Sequence, residues 1–422
     1  MKKQLFPALA AGLLLNLFLS LSALAVDRIN ITAPPYNAVP NDGVSDNTAI
    51  NAAVSAGRSI YFPPGTYNYT GLLYVPANQS YRFYGDGPGV STIIFTGNSS
   101  GGIYGYAMGQ KTLTVEGLTL QANTTKCGTA IQAFFSDAGA TKKFKSATIR
   151  NVQIVGSTRT GYDGGYWTGG IRLYQAQNSV ISNVEISGNA REGAACPGPQ
   201  ASVFGIIWDS ASTYPTSGLQ ISNIQIKYCD TALRTNGWVE NLFLTGFEFV
   251  LCGNNGSPSV DLNSSDAVNL KSTFHLVNGH VDALQNGLRL TNLRGVKISK
   301  VLIVHSSGNS CASSGTDLAL NNVTDGVISQ CTFVGVGNDI HDEIGIRLNN
   351  AHFVQVTGNY FTHMLPLNPS GNPQNACINV QSNSSVVRIV NNLFESPGFG
   401  IGGVNIPYYD AGPGTYYRGN NR

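Results

Sequence analysis

Apolar residues recur along the chain in a fixed six-residue frame, first at residues 115–120 (VEGLTL), then at 149–154 (IRNVQI), 181–186 (ISNVEI) and 221–226 (ISNIQI). Six more copies follow at 244–249, 276–281, 298–303, 328–333, 356–361 and 389–394. Their start-to-start steps are 34, 32, 40, 23, 32, 22, 30, 28 and 33 residues, the signature of a repeat architecture. Steps this uneven exclude a rigid helical repeat, whereas β-branched strands joined by Gly and Asn turns let loops absorb the difference. Each frame is followed by a second strand that alternates apolar and polar residues, as in GIRL from Gly170, ALRT from Ala232, GLRL from Gly287 and GIRL from Gly345. There Ile171 and Leu173 point one way and Arg172 the other. The pattern predicts an all-β fold, a single-stranded right-handed parallel β-helix of about ten or more coils, with loop insertions before Gly170 and Phe204.

Two further registers support stacked coils. Asn292, Asn322 and Asn350 each stand two residues after the last apolar residue of a second strand, so their amides are expected to bond from coil to coil. At the other end, Asp46 is placed to cap a short helix over residues 47–55. The Ala and Ile residues of that helix would cover the first open coil. The solenoid then starts at YFPPGTY, residues 61–67.

The extreme N-terminus carries Lys2 and Lys3, an apolar stretch from Leu9 to Leu24 and a small-residue exit at Ala23 to Ala25. It reads as a signal peptide over 1–25, leaving 26–422 as one β-helix domain. The expected product is secreted, extracellular or periplasmic, without a membrane anchor. Without the two signal-peptide lysines, 23 basic side chains balance 23 acidic ones. That balance argues against a nucleic-acid partner, which needs a basic excess. Charged residues are 11% of the chain, against roughly 25% in ordinary domains, so Asn, Ser, Thr, Gln and Gly must cover the surface. Seven cysteines without CxxC or His-coupled spacing predict no structural metal, and no cofactor is called for. Cys229 and Cys252 each fall eight residues after the start of their frame, at Ile221 and Leu244. They are a disulfide candidate, with free core thiols as the alternative. Cys331 sits in a core register.

NDGVSDNTAINAAV at residues 41–54, followed by IYFPPGTY at 60–67, resembles the N-terminal signature of the pectate-lyase-like superfamily. That group includes family 28-related glycoside hydrolases, rhamnogalacturonase and epimerase-like proteins and phage tailspike depolymerases. Asn47 stands where the signature usually has a second Asp. The resemblance implies a β-helix and a polysaccharide partner. The family 28 motifs do not occur in register, and Asp339-Ile340-His341-Asp342 only echoes the epimerase D-P-H-[DE]. The resemblance leaves the reaction open.

Chemistry is expected on the outward face of the second strands. Taken coil by coil the outward position reads Gln132, Arg172, Ile207, Arg234, Asp261, Arg289, Ala319, Arg347, Asn379. Arginines on alternate coils would stand about 9.6 Å apart, twice the strand spacing. Arg172, Arg234, Arg289 and Arg347 are therefore candidate substrate-binding residues for the carboxylates or sulfates of an acidic, uronate-containing glycan. The alternative is a salt-bridge ladder in which Asp261 neutralises Arg234 and Arg289. Polygalacturonase-like enzymes of this fold place carboxylates just before that strand in later coils. The corresponding residues here are His280 and Asp282, His305 and Asp317, and Asp339, His341, Asp342 and Glu343. Asp317, Glu343, Asp342 and His341 are the catalytic candidates. Asp317 with Glu343 would suit glycoside hydrolysis; His341 with Arg347 or Arg289 would suit a lyase or epimerase acting at C5 of a uronate. Tyr166 and Trp167, with Tyr162 in the same Gly-rich loop, are candidate sugar-stacking rings, whereas Trp208 shares its parity with the inward Ile206. The competing classes are a hydrolase, a lyase or epimerase, and a noncatalytic glycan-binding solenoid.

Overall fold

The computed structural model describes residues 28–135, 145–157, 164–189, 203–211, 215–253, 256–265, 272–305, 315–335, 343–363, 377–395, 408–410 and 413–418. The expected signal peptide lies outside them. Among the described residues the strands form two parallel sheets, one of nineteen strands and one of twelve, with a single helix, Asn47–Ala56. No helix of the described residues is long and apolar enough to cross a membrane. The chain is a right-handed parallel β-helix.

All ten frames pair in the predicted order. Val115, Ile149, Ile181, Ile221, Leu244, Leu276, Ile298, Ile328, Val356 and Ile389 each stand directly beside the next. Yet the frame is not one flat strand. A flat strand beginning with a buried residue would bury its first, third and fifth positions; this frame buries the first, fourth and sixth, as with Ile149, Val152 and Ile154. Its third residue explains the offset. Gly117, Asn151, Asn183, Asn223, Gly246, Asn278, Lys300, Gln330, Gly358 and Asn391 all have φ between 51° and 64°, a left-handed corner that Gly and Asn tolerate best. The corner folds the nineteen-stranded sheet lengthwise into a first and a second wall, and the twelve-stranded sheet closes the prism as a third. On the exposed side of the corner, Asn183 and Asn223 each donate an amide to the Asn one coil before, at 3.1 and 3.2 Å.

Like residues stack along the interior, as expected where each coil repeats the last. The sixth frame position brings Phe333, Phe361 and Phe394 into a column, with centroids 4.8 and 5.0 Å apart and rings 7° and 15° from parallel. Buried Asn359 and Asn392, at the fourth position, satisfy one another and the backbone: the Asn359 amide donates to Asn392 Oδ1 at 3.0 Å and to the Ile328 carbonyl at 3.1 Å. The predicted turn register also forms. Asn322 donates to Asn292 at 2.8 Å and Asn350 to Asn322 at 3.0 Å, all three at positive φ.

The N-terminal helix covers the first coils with Ile50, Ala53 and Val54. Asp46 does not cap it with its side chain. Its carboxylate instead accepts the backbone N–H groups of Val39 at 3.1 Å and Asn68 at 3.0 Å, tying the entry segment to the second coil.

One further expectation about side chains is corrected. Cys229 and Cys252 are not a disulfide: both are free, buried thiols. They do lie on adjacent coils, where Gly253 donates its N–H to the Cys229 carbonyl at 3.2 Å. The two thiols touch each other, which together with burial raises Cys229 above its ordinary value, and each also donates to a backbone carbonyl, Cys229 to Lys227 and Cys252 to Val250, both at 3.5 Å. Cys331 is buried and unpaired, as its register predicts.

Candidate functional site on the third wall

The outward column of the third wall has the register read from sequence. Gln132, Arg172, Ile207, Arg234, Asp261, Arg289, Ala319, Arg347 and Asn379 pair rung by rung. Three of the four arginines have carboxylate partners. Arg172 reaches Asp209, two residues further along the next coil, with Nε at 3.0 Å and Nη2 at 2.9 Å. Burial pushes the Asp209 carboxyl above its ordinary value, and Arg172 opposes that shift. Asp261 takes two parallel bonds from Arg289, and Arg234 approaches it at 3.8 Å. The ladder reading therefore holds for the middle of the column.

Arg347 differs. Among the described residues it has no ion-pair partner, and partial desolvation pulls it below the ordinary arginine value. Between Arg289 and Arg347 the column drops to the methyl group of Ala319. The result is a hollow of about 180 Å³ lined by both arginines, Ala319, Asn286, Thr316 and Asn321. Arg347, standing over this recess beside the Asp261-bound guanidinium of Arg289, can take a carboxylate or a sulfate.

Of the four catalytic candidates, only Asp317 has a side chain among the described residues, and it is interior. Asp317 is 2% exposed, inside the prism, with its carboxylate 3.9 Å from buried His305. Its place on the strand explains why. It stacks between Gly287 and Gly345, in an inward column that otherwise holds small residues, among them Gly170, Gly205, Ala232 and Ser259. A Cβ on Gly287 would meet the Asp317 carbonyl and then Ile303, and one on Gly345 the Cys377 carbonyl and then Phe361. Asp317 is thus an interior residue rather than an outward acid. Glu343 begins the strand Glu343–Asn349 and pairs with Gly315. His341, Asp342 and Asp339 lie outside the described residues.

Tyr166 and Trp167 are not surface rings either. Trp167, 2% exposed, packs edge-on against Phe95 at 5.5 Å and donates Nε1 to the Leu120 carbonyl at 3.3 Å. Tyr166 is buried as well. The cause is the backbone of this segment, which is bonded along the preceding coil: Tyr166 N–H to Thr124 O at 3.1 Å and Cys127 N–H to Tyr166 O at 2.8 Å. Tyr162 lies outside the described residues. Trp208 is buried, as its parity predicts.

What the sequence reading missed is the continuation of the outward column toward the N-terminus, where it becomes Tyr104 and Tyr74. The signal was available, since YGY at 104–106 and GIRLY at 170–174 alternate in the same parity as Arg172. A second concavity, of about 780 Å³, runs over the second wall. There Gln153 donates to Glu185 at 3.0 Å, the Gln225 amide bonds Glu248, and His280 stands 3.8 Å from Glu248. These partners form a ladder of amides and carboxylates along the coils.

Comparison with known proteins places the chain in a class and then a family. A right-handed parallel β-helix is the architecture of pectate-lyase-like proteins. A family model described as rhamnogalacturonase A/epimerase, pectate lyase-like, matches residues 35–257, and the chain belongs to that family. No curated protein matches it in sequence. Among solved structures it is similar to the N-terminal fragment of gene product 12 of bacteriophage phi29, at 15% identity and TM-score 0.54, covering 91% of this chain and 64% of that one. It is also similar to the enzymatically active domain of tailspike protein 2 of bacteriophage CBA120, at 14% identity and TM-score 0.51, covering 87% of this chain and 48% of that one. A third similar structure is the A-module of the mannuronan C-5 epimerase AlgE6 of Azotobacter vinelandii, at 13% identity and TM-score 0.49, covering 87% and 99%. The likeness to the two phage proteins is one of fold.

Proposed function

We propose that the protein is a secreted enzyme acting on an acidic polysaccharide laid along the third wall, with residues 1–25 as signal peptide and 26–422 as a single β-helix. The observation that carries this reading is the hollow between Arg289 and Arg347, where a guanidinium with no ion-pair partner among the described residues stands beside a second one. The description of the family, which names a rhamnogalacturonase and an epimerase, supports a carbohydrate substrate.

The same geometry favours proton abstraction over hydrolysis. Hydrolysis needs two carboxyl groups flanking the glycosidic bond, and Asp317, one of the pair expected from sequence, is interior. Abstraction of the C5 proton of a uronate needs a base and a cation that stabilises the charge developing on its carboxylate. Arg289 and Arg347 supply the cation, and His341, six positions before Arg347, is assigned as the base. In a lyase the base takes the C5 proton, the C4–O bond breaks, and a C4–C5 double bond forms as the leaving oxygen is protonated. In an epimerase the proton returns from the opposite face. The hydrolase reading retains Glu343 and Asp342 as its carboxyl pair.

The test is incubation of the full chain with polygalacturonate, alginate and a neutral glycan. Ultraviolet absorbance from the unsaturated product, lost in His341→Ala, is the expected result for a lyase; inverted C5 centres by proton NMR mark an epimerase. New reducing ends without absorbance would support the hydrolase reading. Binding with no change in the polymer would overturn the enzymatic reading and leave a glycan-binding module.

A further inference from the structure

Toward the N-terminal coils the third wall changes from charged to aromatic. Tyr74 and Tyr104 continue the outward column, and Phe134 and Tyr174 pair in the outward column beside it. With Tyr106 they form one connected surface: Tyr74 to Tyr104 at 5.6 Å, Tyr104 to Tyr106 at 6.1 Å, Tyr104 to Phe134 at 5.7 Å and Phe134 to Tyr174 at 5.8 Å. Tyr104 and Tyr106 are stacked 16° from parallel, whereas Tyr74 and Phe134 meet Tyr104 edge-on at 80° and 64°, so the strip offers separate ring faces rather than one plane. Tyr74 is 60% and Tyr106 63% exposed. Rings held this open do not contribute to the core, and contiguous exposed apolar surface marks a contact site.

The chemistry of the patch selects its occupant. Four of the five rings carry a hydroxyl, so each offers a flat apolar face and a polar edge, the complement of a pyranose ring with its C–H face and rim of hydroxyls. Among the described residues the charges at its border are Arg172, 5.6 Å from the Phe134 ring, and Asp209, which pairs with Tyr174 on the next rung, and these two are bound to each other. An uncharged ligand therefore fits here, unlike the arginine end. The patch is also continuous, rung by rung, with that end. A protein partner would need roughly 800 Å² of matched surface, whereas this strip is only two side-chain columns wide.

We propose that Tyr74, Tyr104, Tyr106, Phe134 and Tyr174 form an uncharged stacking subsite for pyranose rings. The bound polymer runs lengthwise along the third wall, with a neutral stretch on the aromatic end and its acid groups at Arg289 and Arg347. The substrate class is then a heteropolysaccharide that mixes neutral and acidic sugars. This inference rests on the reading of the third wall as the glycan face.

The test compares two probes that share a backbone and differ in charge, polygalacturonate and its fully methyl-esterified form, by titration of the full chain. The double variant Tyr104→Ala/Tyr106→Ala is expected to weaken both probes by about tenfold, at unchanged salt dependence and unchanged melting temperature, because both rings point outward. Arg347→Ala weakens only the charged probe. In Tyr106→Trp binding is retained and the added indole changes fluorescence when either probe is bound. If the tyrosine double variant binds both probes as the wild type does while Arg347→Ala still loses the charged one, the stacking subsite is overturned and the glycan face stands. If neither variant affects binding, both readings fail. A wild-type dimer that becomes monomeric in the double variant would show that the patch is a protein interface, and would also overturn the proposal.

Discussion

Arg289 holds Asp261 through two parallel hydrogen bonds, Nε to Oδ1 at 2.9 Å and Nη2 to Oδ2 at 2.8 Å, with the two residues directly paired on adjacent rungs. The same carboxylate draws Arg234 to 3.8 Å, so one acid restrains two of the four cations on the wall. Asp261→Asn should free both. Polyuronate is expected to bind a few-fold more tightly and with a steeper dependence on salt, while stability changes by less than about 1 kcal/mol, as for other partly exposed ion pairs. Titration at low and high ionic strength measures this, and weaker binding in the variant would mean that Asp261 itself contacts the glycan.

The asparagine register allows a separate measurement of backbone and side-chain contributions. Asn322 bonds its neighbours above and below and sits at φ 55°. Asn322→Ala loses those bonds and also places a Cβ without compensation in the left-handed region, for a cost of about 2–4 kcal/mol. Asn322→Gly loses only the bonds and should cost about half as much. Urea unfolding of the two variants gives the comparison; equal costs would show that the left-handed corner carries no strain.

Asp317 should behave as an interior residue. It is buried with His305 in a column of small side chains, so Asp317→Asn is expected to lower the melting temperature and leave turnover per folded molecule within a few-fold of wild type. A loss of several orders of magnitude in a variant with an unchanged melt would place this carboxylate at the substrate after all.

The buried thiols predict an alkaline limit. Burial pushes Cys127 and Cys331 up to about 11 and Cys377 up to about 12, from an ordinary value of 9.0. Above pH 9 the unfolded chain releases these protons while the folded chain keeps them. The folded state then binds more protons, and stability must fall as pH rises from about 9 toward 11 and 12. Below pH 9 these groups contribute no slope. Denaturant midpoints across this range, compared with those of Cys331→Ala, report the contribution directly. In the native state at pH 8 these three thiols, with Cys229 and Cys252, should resist alkylation until the chain unfolds.

Much of the scaffold was legible because a stacked coil must repeat its own register. Once Ile149, Ile181 and Ile221 were aligned as frame starts, the outward order from Gln132 to Asn379 followed by counting, and the pairings agree rung by rung. Parity failed where burial does not alternate. Asp317 has the parity of Ala319, but the first four positions of its strand, 315–318, are all buried, which alternation alone does not reveal. Trp167 sits in a Gly-rich stretch that looks exposed, yet the backbone bonds of Tyr166 with Thr124 and Cys127 hold that stretch against the previous coil. A register of eight residues put Cys229 and Cys252 on adjacent coils but said nothing of where their sulfurs point. The aromatic end of the wall follows from the outward parity of Tyr74, Tyr104 and Tyr174, but Tyr74 and Tyr104 precede the first copy of the frame at Val115 and so fall outside the repeat that indexes the other coils.

The most direct test of the account is the dissociation constant of polygalacturonate for Arg347→Ala against wild type, measured as a function of salt. Loss of an unshared guanidinium that binds a carboxylate should weaken binding about ten- to a hundredfold at low salt, lower the salt dependence, and leave the melting temperature unchanged. An affinity and salt dependence identical to wild type would contradict the assignment of the third wall as the glycan face.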